Sequence, residues 1–151
     1  MKALVIDDER LARTELIRLL EPFKEIEIVG EAVNADDAHN KISELSPDVI
    51  FLDIQMPGKT GFELLEELDS VPKVIFTTAY DEYALKAFEY NALDYLLKPI
   101  EPARLEESIK KLIEGKRKER TQDLPYETLT AEDQVFVKDG DKCWFVKLEK
   151  V

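Results

Sequence analysis

The sequence predicts a doubly wound α/β domain, in which five parallel strands form a central sheet with helices on both faces. Two observations predict it. Short runs of β-branched and other apolar residues alternate with longer segments whose apolar residues have helical spacing. The short runs are apolar on both faces, which is typical of strands buried in a parallel sheet. This alternation implies right-handed crossovers and a ligand site at the carboxyl ends of the strands.

Each element follows from its local pattern. The expected strands, in chain order, are residues 3–6, 26–29, 49–52, 74–76 and 95–97. Between and after them, apolar residues recur at intervals of three and four, as on one face of a helix. The expected helices are residues 12–20, 38–45, 62–68, 82–88 and 105–113. Asp81 directly precedes the fourth helix and is its expected N-cap.

Charge divides the chain into two parts. The 151 residues have a formal net charge of −12. Residues 1–115 hold 13 basic and 25 acidic side chains, whereas residues 116–151 hold 8 of each. A nucleic-acid surface needs clustered Lys and Arg, so the first part is not expected to bind DNA. We place a domain boundary after Gly115, where a charged stretch without large apolar residues begins.

The end of the chain has a different pattern. Residues 116–133 are expected to be a linker. Two β-prone runs, 134–138 and 142–146, then flank the turn Asp139-Gly140-Asp141, which predicts a hairpin. A segment this short cannot readily bury a core of its own. The sequence therefore predicts a short C-terminal β-rich extension, residues 134–151, that is the truncated start of a second domain.

The sequence indicates a soluble, cytoplasmic protein without membrane contact. No apolar run approaches the roughly 20 residues that span a bilayer. The apolar start ends at Asp7, before a signal-peptide core forms. A single cysteine, Cys143, excludes an intramolecular disulfide, so a reducing compartment fits.

Polar residues follow the expected strands at the edge where a ligand would bind. They are Asp7 and Asp8 after the first strand, Asp53 after the third, Thr77 and Thr78 after the fourth, and Lys98 after the fifth. Crowded carboxylates raise one another's pKa unless a cation neutralises them, and a hard oxygen ligand set suits Mg²⁺. Three carboxylates, one ammonium and one Mg²⁺ sum to zero charge, which suits the arrival of a phosphoryl group.

These residue types predict an aspartyl phosphate. Asp53 is the expected nucleophile and phosphoacceptor, because a carboxylate can form an acyl phosphate. Asp7 and Asp8 would hold the metal, while Lys98 and the Thr78 hydroxyl would contact phosphoryl oxygens. Taken singly, each of these residues also fits a cap, a turn or an ordinary surface position. Their conjunction at the correct strand ends favours function.

Two other classes of protein compete with a phospho-accepting switch. A hydrolase with an Asp nucleophile would carry a second Asp two positions later as general acid, and that position is Gln55. A flavin- or nucleotide-binding module would need a glycine- or hydroxyl-rich loop after the first strand. The sequence Asp7-Asp8-Glu9 at that place would repel phosphate. Both alternatives are therefore weaker.

Four ordered motifs resemble the receiver domain of two-component response regulators. They are Asp7-Asp8, Asp53-Ile54-Gln55-Met56-Pro57 followed by Gly61, Thr78-Ala79, and Tyr95-Leu96-Leu97-Lys98-Pro99. The resemblance covers about residues 1–115. It implies a CheY-like fold of flavodoxin type and phosphorylation of Asp53 by a partner sensor histidine kinase. It also implies Mg²⁺ bound by Asp7, Asp8, Asp53 and the backbone carbonyl of Gln55, and a cis peptide before Pro99.

The same resemblance implies a switch and not an enzyme, with at most self-directed phosphotransfer and slow autodephosphorylation. In such a switch the Thr78 hydroxyl moves toward the phosphoryl group, and the Tyr95 ring turns inward. Tyr80 is expected to overhang the site and slow the attack of water. Homodimerisation is expected through the face formed by the fourth helix, fifth strand and fifth helix. Charged residues of both signs mark that face: Asp81, Glu82, Lys86, Glu89, Arg104, Glu107 and Lys111.

The tail resembles the opening of a LytTR-type DNA-binding domain. This resemblance is carried by residues 133–146 with the preceding basic stretch, and by the sequence of residues 94–99. It implies a regulator of transcription whose full-length parent protein binds DNA. The parts that would contact DNA are not present in this sequence.

Overall fold

A computed structural model describes residues 1–121, with side-chain surroundings for residues 1–115. Five parallel strands form one sheet in the order β2-β1-β3-β4-β5. Their bounds are β1 Lys2–Ile6, β2 Glu27–Ala32, β3 Val49–Asp53, β4 Lys73–Thr78 and β5 Asp94–Leu97. The expected doubly wound α/β fold is confirmed, because every strand pair is parallel and a helix precedes the next strand each time.

Five α-helices lie in the described residues. They are α1 Arg10–Leu20, α2 Ala35–Leu45, α3 Gly61–Glu67, α4 Ala84–Glu89 and α5 Pro102–Thr121. One face of the sheet packs against α2, α3 and α4 through a cluster centred on Leu4, Ile50 and Phe76, each fully buried. Alternation along the strands directs Val5, Phe51 and Ile75 to the opposite face. The buried residues of α1 and α5, such as Leu16 and Leu105, supply the remaining core.

Several elements extend beyond the residues expected from the sequence, and one expected helix cap is wrong. Strand β2 continues three residues beyond Val29, because its ladder with β1 continues to Ala32 although the continuous apolar run has ended. The expected N-cap Asp81 is wrong. Asp81–Tyr83 instead forms a 3-10 turn, and neither this turn nor α4 has a side-chain cap. The apolar spacing did not predict this 3-10 turn, because residues of such a turn and of the first turn of an α-helix follow the same spacing.

The predicted domain boundary falls within α5. The compact unit that contains the sheet comprises Met1–Leu112. Helix α5 continues to Thr121, so the first six residues of the expected linker are helical. The rest of that linker and the expected hairpin lie outside the described residues. Among the described helices, none is both long enough and apolar enough to cross a bilayer.

A buried ion cluster joins β5 to α5. The Asp94 side chain is 6% exposed and accepts two hydrogen bonds from the Arg104 guanidinium, at 2.7 and 2.8 Å. The Ser108 hydroxyl donates to the same carboxylate, and Lys111 Nζ lies 3.4 Å from it. Burial alone would raise the pKa of Asp94. The hydrogen bonds from Arg104 and Ser108 outweigh burial and hold the pKa well below its usual range.

We expect Arg104→Met to lower the free energy of unfolding at pH 7 by about 1 to 3 kcal/mol, because the buried Asp94 carboxylate loses its main partner. The loss is not larger because the Arg104 guanidinium is itself partly exposed to solvent. The sign with pH follows from the lowered pKa of Asp94. The stabilisation that ionised Asp94 supplies is present above its unfolded-state pKa of about 4 and declines as the pH falls below that value. Urea unfolding at pH 7 and pH 3 measures both values. An equal loss at the two pH values would contradict the assignment to Asp94.

Candidate functional site

Three carboxylates meet at the carboxyl edge of the sheet. Asp53 is the last residue of β3, and Asp7 and Asp8 follow β1 directly. Strands β1 and β3 are neighbours in the sheet, so these ends lie side by side. One carboxylate oxygen from each residue lies within 4.8 Å of those of the other two. Asp7 and Asp53 are each 4% exposed, whereas Asp8 is open to solvent.

A lysine from β5 reaches the same cluster. Lys98 follows β5, and its Nζ lies 2.7 Å from Asp7 Oδ2 and 3.6 Å from Asp53 Oδ1. Its backbone amide donates to the carbonyl oxygen of Thr78 at 2.7 Å, which ties this part of the chain to the end of β4. The Lys98–Pro99 peptide bond is cis. The ammonium therefore lies beside both buried carboxylates, closer to Asp7.

The electrostatics of the cluster favour a cation. Burial raises the pKa of Asp53 to about 7, the negative charge of Asp7 adds to the shift, and the Lys98 ammonium opposes it. Burial would lower the pKa of Lys98, but its hydrogen bond with Asp7 and the nearby charge of Asp53 raise it. One ammonium thus does not neutralise three carboxylates, and a cation bound beside Asp53 would lower the pKa of its carboxyl group.

The donor set suits a hard divalent cation. Carboxylate oxygens are the ligands that Mg²⁺ prefers, and Mg²⁺ binds few carboxylates while keeping several waters. The site offers one exposed and two buried carboxylates, which lie side by side and do not enclose a cation. This arrangement leaves room for the waters that Mg²⁺ keeps. The residues present therefore fit the metal that the sequence implied.

The loop after β3 depends on one glycine. Gly61 begins α3, and its amide donates to the carbonyl oxygen of Ile54 at 2.8 Å. A Cβ at this position would lie 2.6 Å from the carbonyl oxygen of Asp53. In the same loop the Gln55 side-chain amide donates to Tyr83 Oη at 2.6 Å. The loop is thus held close to the end of β3. The Gln55 side chain is hydrogen-bonded to the 3-10 turn before α4.

Thr78 and Tyr95 are connected through Tyr80. Thr78 is fully buried at the end of β4, and its Oγ1 accepts a hydrogen bond from the Tyr80 amide at 3.2 Å. The Tyr95 hydroxyl donates to the carbonyl oxygen of Tyr80. The Tyr80 side chain itself is 47% exposed. The two residues expected to switch therefore contact the same short segment after β4.

Two side chains near the site were not singled out from the sequence. Tyr83 binds Gln55, and no local pattern identifies that partner. Arg13 of α1 donates to the carbonyl oxygen of Asp7 at 2.8 Å. A signal for Arg13 did exist, because it shares the buried helical stripe of Leu16 and Leu20, where an arginine needs a specific partner.

Comparisons with known proteins agree with this architecture. Residues 3–110 match the family model described as the response regulator receiver domain. A solved structure of the response regulatory domain of protein mrkE from Klebsiella pneumoniae is 34% identical, with a TM-score of 0.71. The match covers 78% of this chain and 99% of that one. The receiver domain of AraT from Geobacillus stearothermophilus is also 34% identical, with a TM-score of 0.69 over 79% of this chain and 97% of that one.

Curated relatives are longer proteins. An uncharacterized response regulatory protein from Vibrio parahaemolyticus is 57% identical over 74% of this chain and 47% of its own length. The sensory transduction protein LytT of Bacillus anthracis is 45% identical over 87% of this chain and 56% of its own length. The transcriptional regulatory protein BtsR of Salmonella typhi is 44% identical over 97% and 65%, respectively. The chain thus spans about half to two thirds of the length of these relatives.

Proposed function

The chain belongs to the response regulator receiver family and acts in two-component signal transduction, and on that basis we propose how its site works. Asp53 accepts a phosphoryl group from a sensor histidine kinase in a Mg²⁺-dependent reaction. The modified domain then changes its conformation and self-association. The observation that supports this proposal most strongly is the meeting of Asp7, Asp8 and Asp53 with the Lys98 ammonium at one sheet edge.

The chemistry is a phosphoryl transfer. An oxygen of the Asp53 carboxylate attacks the phosphorus of a phosphohistidine. The new P–O bond forms as the P–N bond breaks, and the electron pair returns to the imidazole. Lys98 holds a positive charge beside the incoming phosphoryl oxygens, and the Thr78 hydroxyl donates to another. Positioning and charge stabilisation supply most of the catalysis in such a transfer.

Asp7, Asp8, Asp53 and the backbone carbonyl of Gln55 would hold Mg²⁺ in this proposal. When bound, Mg²⁺ supplies the positive charge that offsets the carboxylates and the phosphoryl oxygens. The pKa of Asp53, about 7 without a cation, supports this arrangement, because the nucleophile must be ionised to attack. Asp7 already accepts hydrogen bonds on both carboxylate oxygens, from the Glu9 amide and Lys98 Nζ.

The family is a signalling switch, and the site supports acceptance of one phosphoryl group in preference to turnover. A phosphatase of the competing class needs a general acid two residues after the nucleophile. Gln55 at that position is an amide whose nitrogen donates to Tyr83. It therefore supplies no acid for a leaving group. The acidic β1–α1 loop also disfavours a nucleotide phosphate.

Incubation with acetyl phosphate and Mg²⁺, followed by intact-protein mass spectrometry, tests the proposal. We expect one added phosphoryl group, none when EDTA replaces Mg²⁺, and fragment spectra that assign the group to the peptide containing Asp53. Phosphate release at a steady rate, measured in parallel, would indicate a hydrolase instead. A group carried on another peptide would overturn the assignment of the acceptor.

The phosphoryl group is expected to decay slowly. Tyr80 lies two residues after Thr78, and its backbone is anchored by Thr78 Oγ1 and by the Tyr95 hydroxyl. Its half-exposed ring can then restrict the approach of water to Asp53. We expect Tyr80→Ala to shorten the lifetime of radiolabelled phosphoprotein severalfold. Decay of the unmodified protein within seconds, or an unchanged lifetime in the variant, would contradict this role.

Self-association is proposed through the face formed by α4, β5 and α5, with a second copy as the partner. The side chains of Leu85 and Phe88 on α4 are 82% and 81% exposed, and Leu97 on β5 is 45% exposed. Exposed apolar residues of this size are typical of interfaces. Arg104 and Lys111, expected from sequence to serve this face, already contact Asp94 within the chain. The apolar residues therefore carry more of the proposed contact.

We expect Tyr95→Ala to preserve phosphorylation but to weaken phosphate-dependent dimerisation about tenfold, which equals about 1.4 kcal/mol. The variant loses both the hydroxyl contact with Tyr80 and the ring that connects the phosphorylation site to the α4–β5–α5 face. Tyr95→Phe removes only the hydroxyl and should give a smaller loss. Sedimentation equilibrium with and without beryllofluoride measures the dimer dissociation constant. Identical dimerisation of all three proteins would rule out Tyr95 as the switch.

The output is proposed to be transcriptional. The relative that covers nearly all of this chain is named a transcriptional regulatory protein, and another is named LytT. These names support a LytTR-type DNA-binding domain beginning in residues 134–151, joined to the receiver through residues 116–133. DNA binding then belongs to a full-length parent protein. A cytoplasmic location is part of the same proposal, since both the kinase and DNA must be reached.

A further inference from the structure

The side chain of Arg13 contacts the loop that carries two of the three carboxylates. It extends from the first turns of α1 and is 12% exposed. Its Nη1 donates to the carbonyl oxygen of Asp7 at 2.8 Å, and its Nε donates to Glu31 Oε1 at 2.9 Å. Glu31 belongs to β2, the strand next to β1. One guanidinium thus joins α1, the β1–α1 loop and β2.

The contact controls the peptide that links the two acidic residues. The carbonyl of Asp7 and the amide of Asp8 belong to one planar unit, so fixing the carbonyl fixes the plane from which the Asp8 side chain departs. On the other side of Asp7, its own amide donates to the carbonyl oxygen of Ala32 at 3.1 Å. Both peptides around Asp7 are therefore held, one by β2 backbone and one by Arg13.

Arg13 makes the two contacts from two separate nitrogens of its fork-shaped guanidinium, Nη1 and Nε. The guanidinium is planar, stays charged, and presents its N–H groups in fixed relative directions, whereas a lysine ammonium is a single point. Glu31 accepts the hydrogen bond from Nε of the guanidinium, and this contact orients Nη1 toward the carbonyl oxygen of Asp7. The loop between β1 and α1 is only three residues long, and Asp8 is exposed. Little packing surrounds the Asp8 carboxylate, so its direction depends strongly on the backbone that carries it.

We propose that Arg13 is a positioning residue of the cation site: with Glu31 as its anchor, it holds the Asp7–Asp8 peptide in the orientation that lets both carboxylates bind one divalent cation. The proposal rests on the Mg²⁺ site of the proposed function. It concerns the geometry of the ligands, and Arg13 itself touches neither the metal nor the phosphoryl group.

Calorimetric Mg²⁺ titration of the whole chain tests this role. We expect Arg13→Met to raise the Mg²⁺ dissociation constant at least tenfold, the effect typical of losing a group that orients a metal ligand. Arg13→Lys keeps the charge but not the fork, and we expect nearly the same loss. Glu31→Gln, which keeps the shape of the anchor, should give a smaller increase. It also serves as the second variant if Arg13→Met does not fold.

Arg18→Met is the matched control. Arg18 lies on the same helix and its removal changes the net charge equally, but its side chain is 62% exposed and pairs with Glu15. We expect its Mg²⁺ dissociation constant to equal that of the unmodified protein. Phosphorylation from acetyl phosphate gives an independent measure. In Arg13→Met the half-saturating Mg²⁺ concentration should rise about as much as the dissociation constant, while the rate at saturating Mg²⁺ stays within about twofold.

Three outcomes would overturn the proposal. An unchanged Mg²⁺ dissociation constant in folded Arg13→Met, with only the free energy of unfolding lowered, would show a purely structural role. Full affinity in Arg13→Lys would show that charge and not geometry matters. An equal loss in Arg18→Met would show a non-specific charge effect. Failure of the proposed function looks different, because the unmodified protein would then bind Mg²⁺ no better than Asp53→Asn.

Discussion

Replacing Asp53 with Asn is expected to abolish uptake of a phosphoryl group from acetyl phosphate. The amide is not a nucleophile toward phosphorus, whereas the carboxylate oxygen is. The two side chains are nearly the same size, so the fully buried end of β3 should remain packed. Intact-protein mass spectrometry with Mg²⁺ measures the loss. A fully modified Asp53→Asn protein would show that another residue is the acceptor.

The same substitution should also stabilise the metal-free protein above neutral pH. The pKa of Asp53 is raised from near 4 in the unfolded chain to about 7. The folded state therefore binds this proton more tightly, and stability falls as the pH rises from about 4 to 7. Asn has no such dependence. We expect Asp53→Asn to gain on the order of 1 to 2 kcal/mol at pH 8, after allowance for solvent screening.

Urea unfolding at pH 4 and pH 8, with EDTA or with Mg²⁺, checks the sign. The advantage of Asp53→Asn should be small at pH 4 and largest at pH 8 in EDTA. Mg²⁺ should remove it, because a cation that binds only the folded state stabilises the unmodified protein. An advantage that is independent of pH would mean that the charge cluster is not its cause.

Gly61→Ala is expected to destabilise the protein strongly, although Gly61 touches no ligand. Its Cβ would lie 2.6 Å from the carbonyl oxygen of Asp53 and 3.3 Å from Ile54 Cα. These are backbone atoms, so no rotation of a side chain relieves the overlap. The end of β3 must shift, which costs about 1 to 3 kcal/mol by analogy with overpacked cores. The Asp53 carboxylate moves with it, so phosphoryl uptake should slow as well.

Gly115→Ala provides the matched control for this steric effect. Gly115 lies in α5, and a Cβ there would meet nothing within 4 Å. An alanine in a helix interior is favoured over glycine by about 0.5 to 1 kcal/mol. We therefore expect chemical denaturation to report a small gain for Gly115→Ala and a large loss for Gly61→Ala. Equal stability of the two variants would contradict the close approach of Gly61 to β3.

The α4 region shows where sequence reasoning reached its limit. Apolar spacing identified a helix near residues 82–88, but not the 3-10 turn Asp81–Tyr83 that precedes it. The charged residues expected from the sequence at the proposed dimer face include Arg104 and Lys111 of α5, and the structure shows that both also contact Asp94 within the chain. From sequence alone, a charged side chain is expected to face solvent or a partner molecule. Only the packed structure reveals a partner within the chain.

The sequence by itself determined the order of strands and helices, and hence the set of side chains at the carboxyl edge. Periodicity is a local property, and the crossover rule converts it into the positions of Asp7, Asp53, Thr78 and Lys98. Tertiary structure alone decided what those side chains touch. Lys98 meets Asp7 across 91 positions of sequence, Gln55 meets Tyr83 across 28, and Arg13 turns under the loop toward Glu31. The physical reason is that a side chain's direction depends on how separate elements pack, and no local pattern encodes that arrangement.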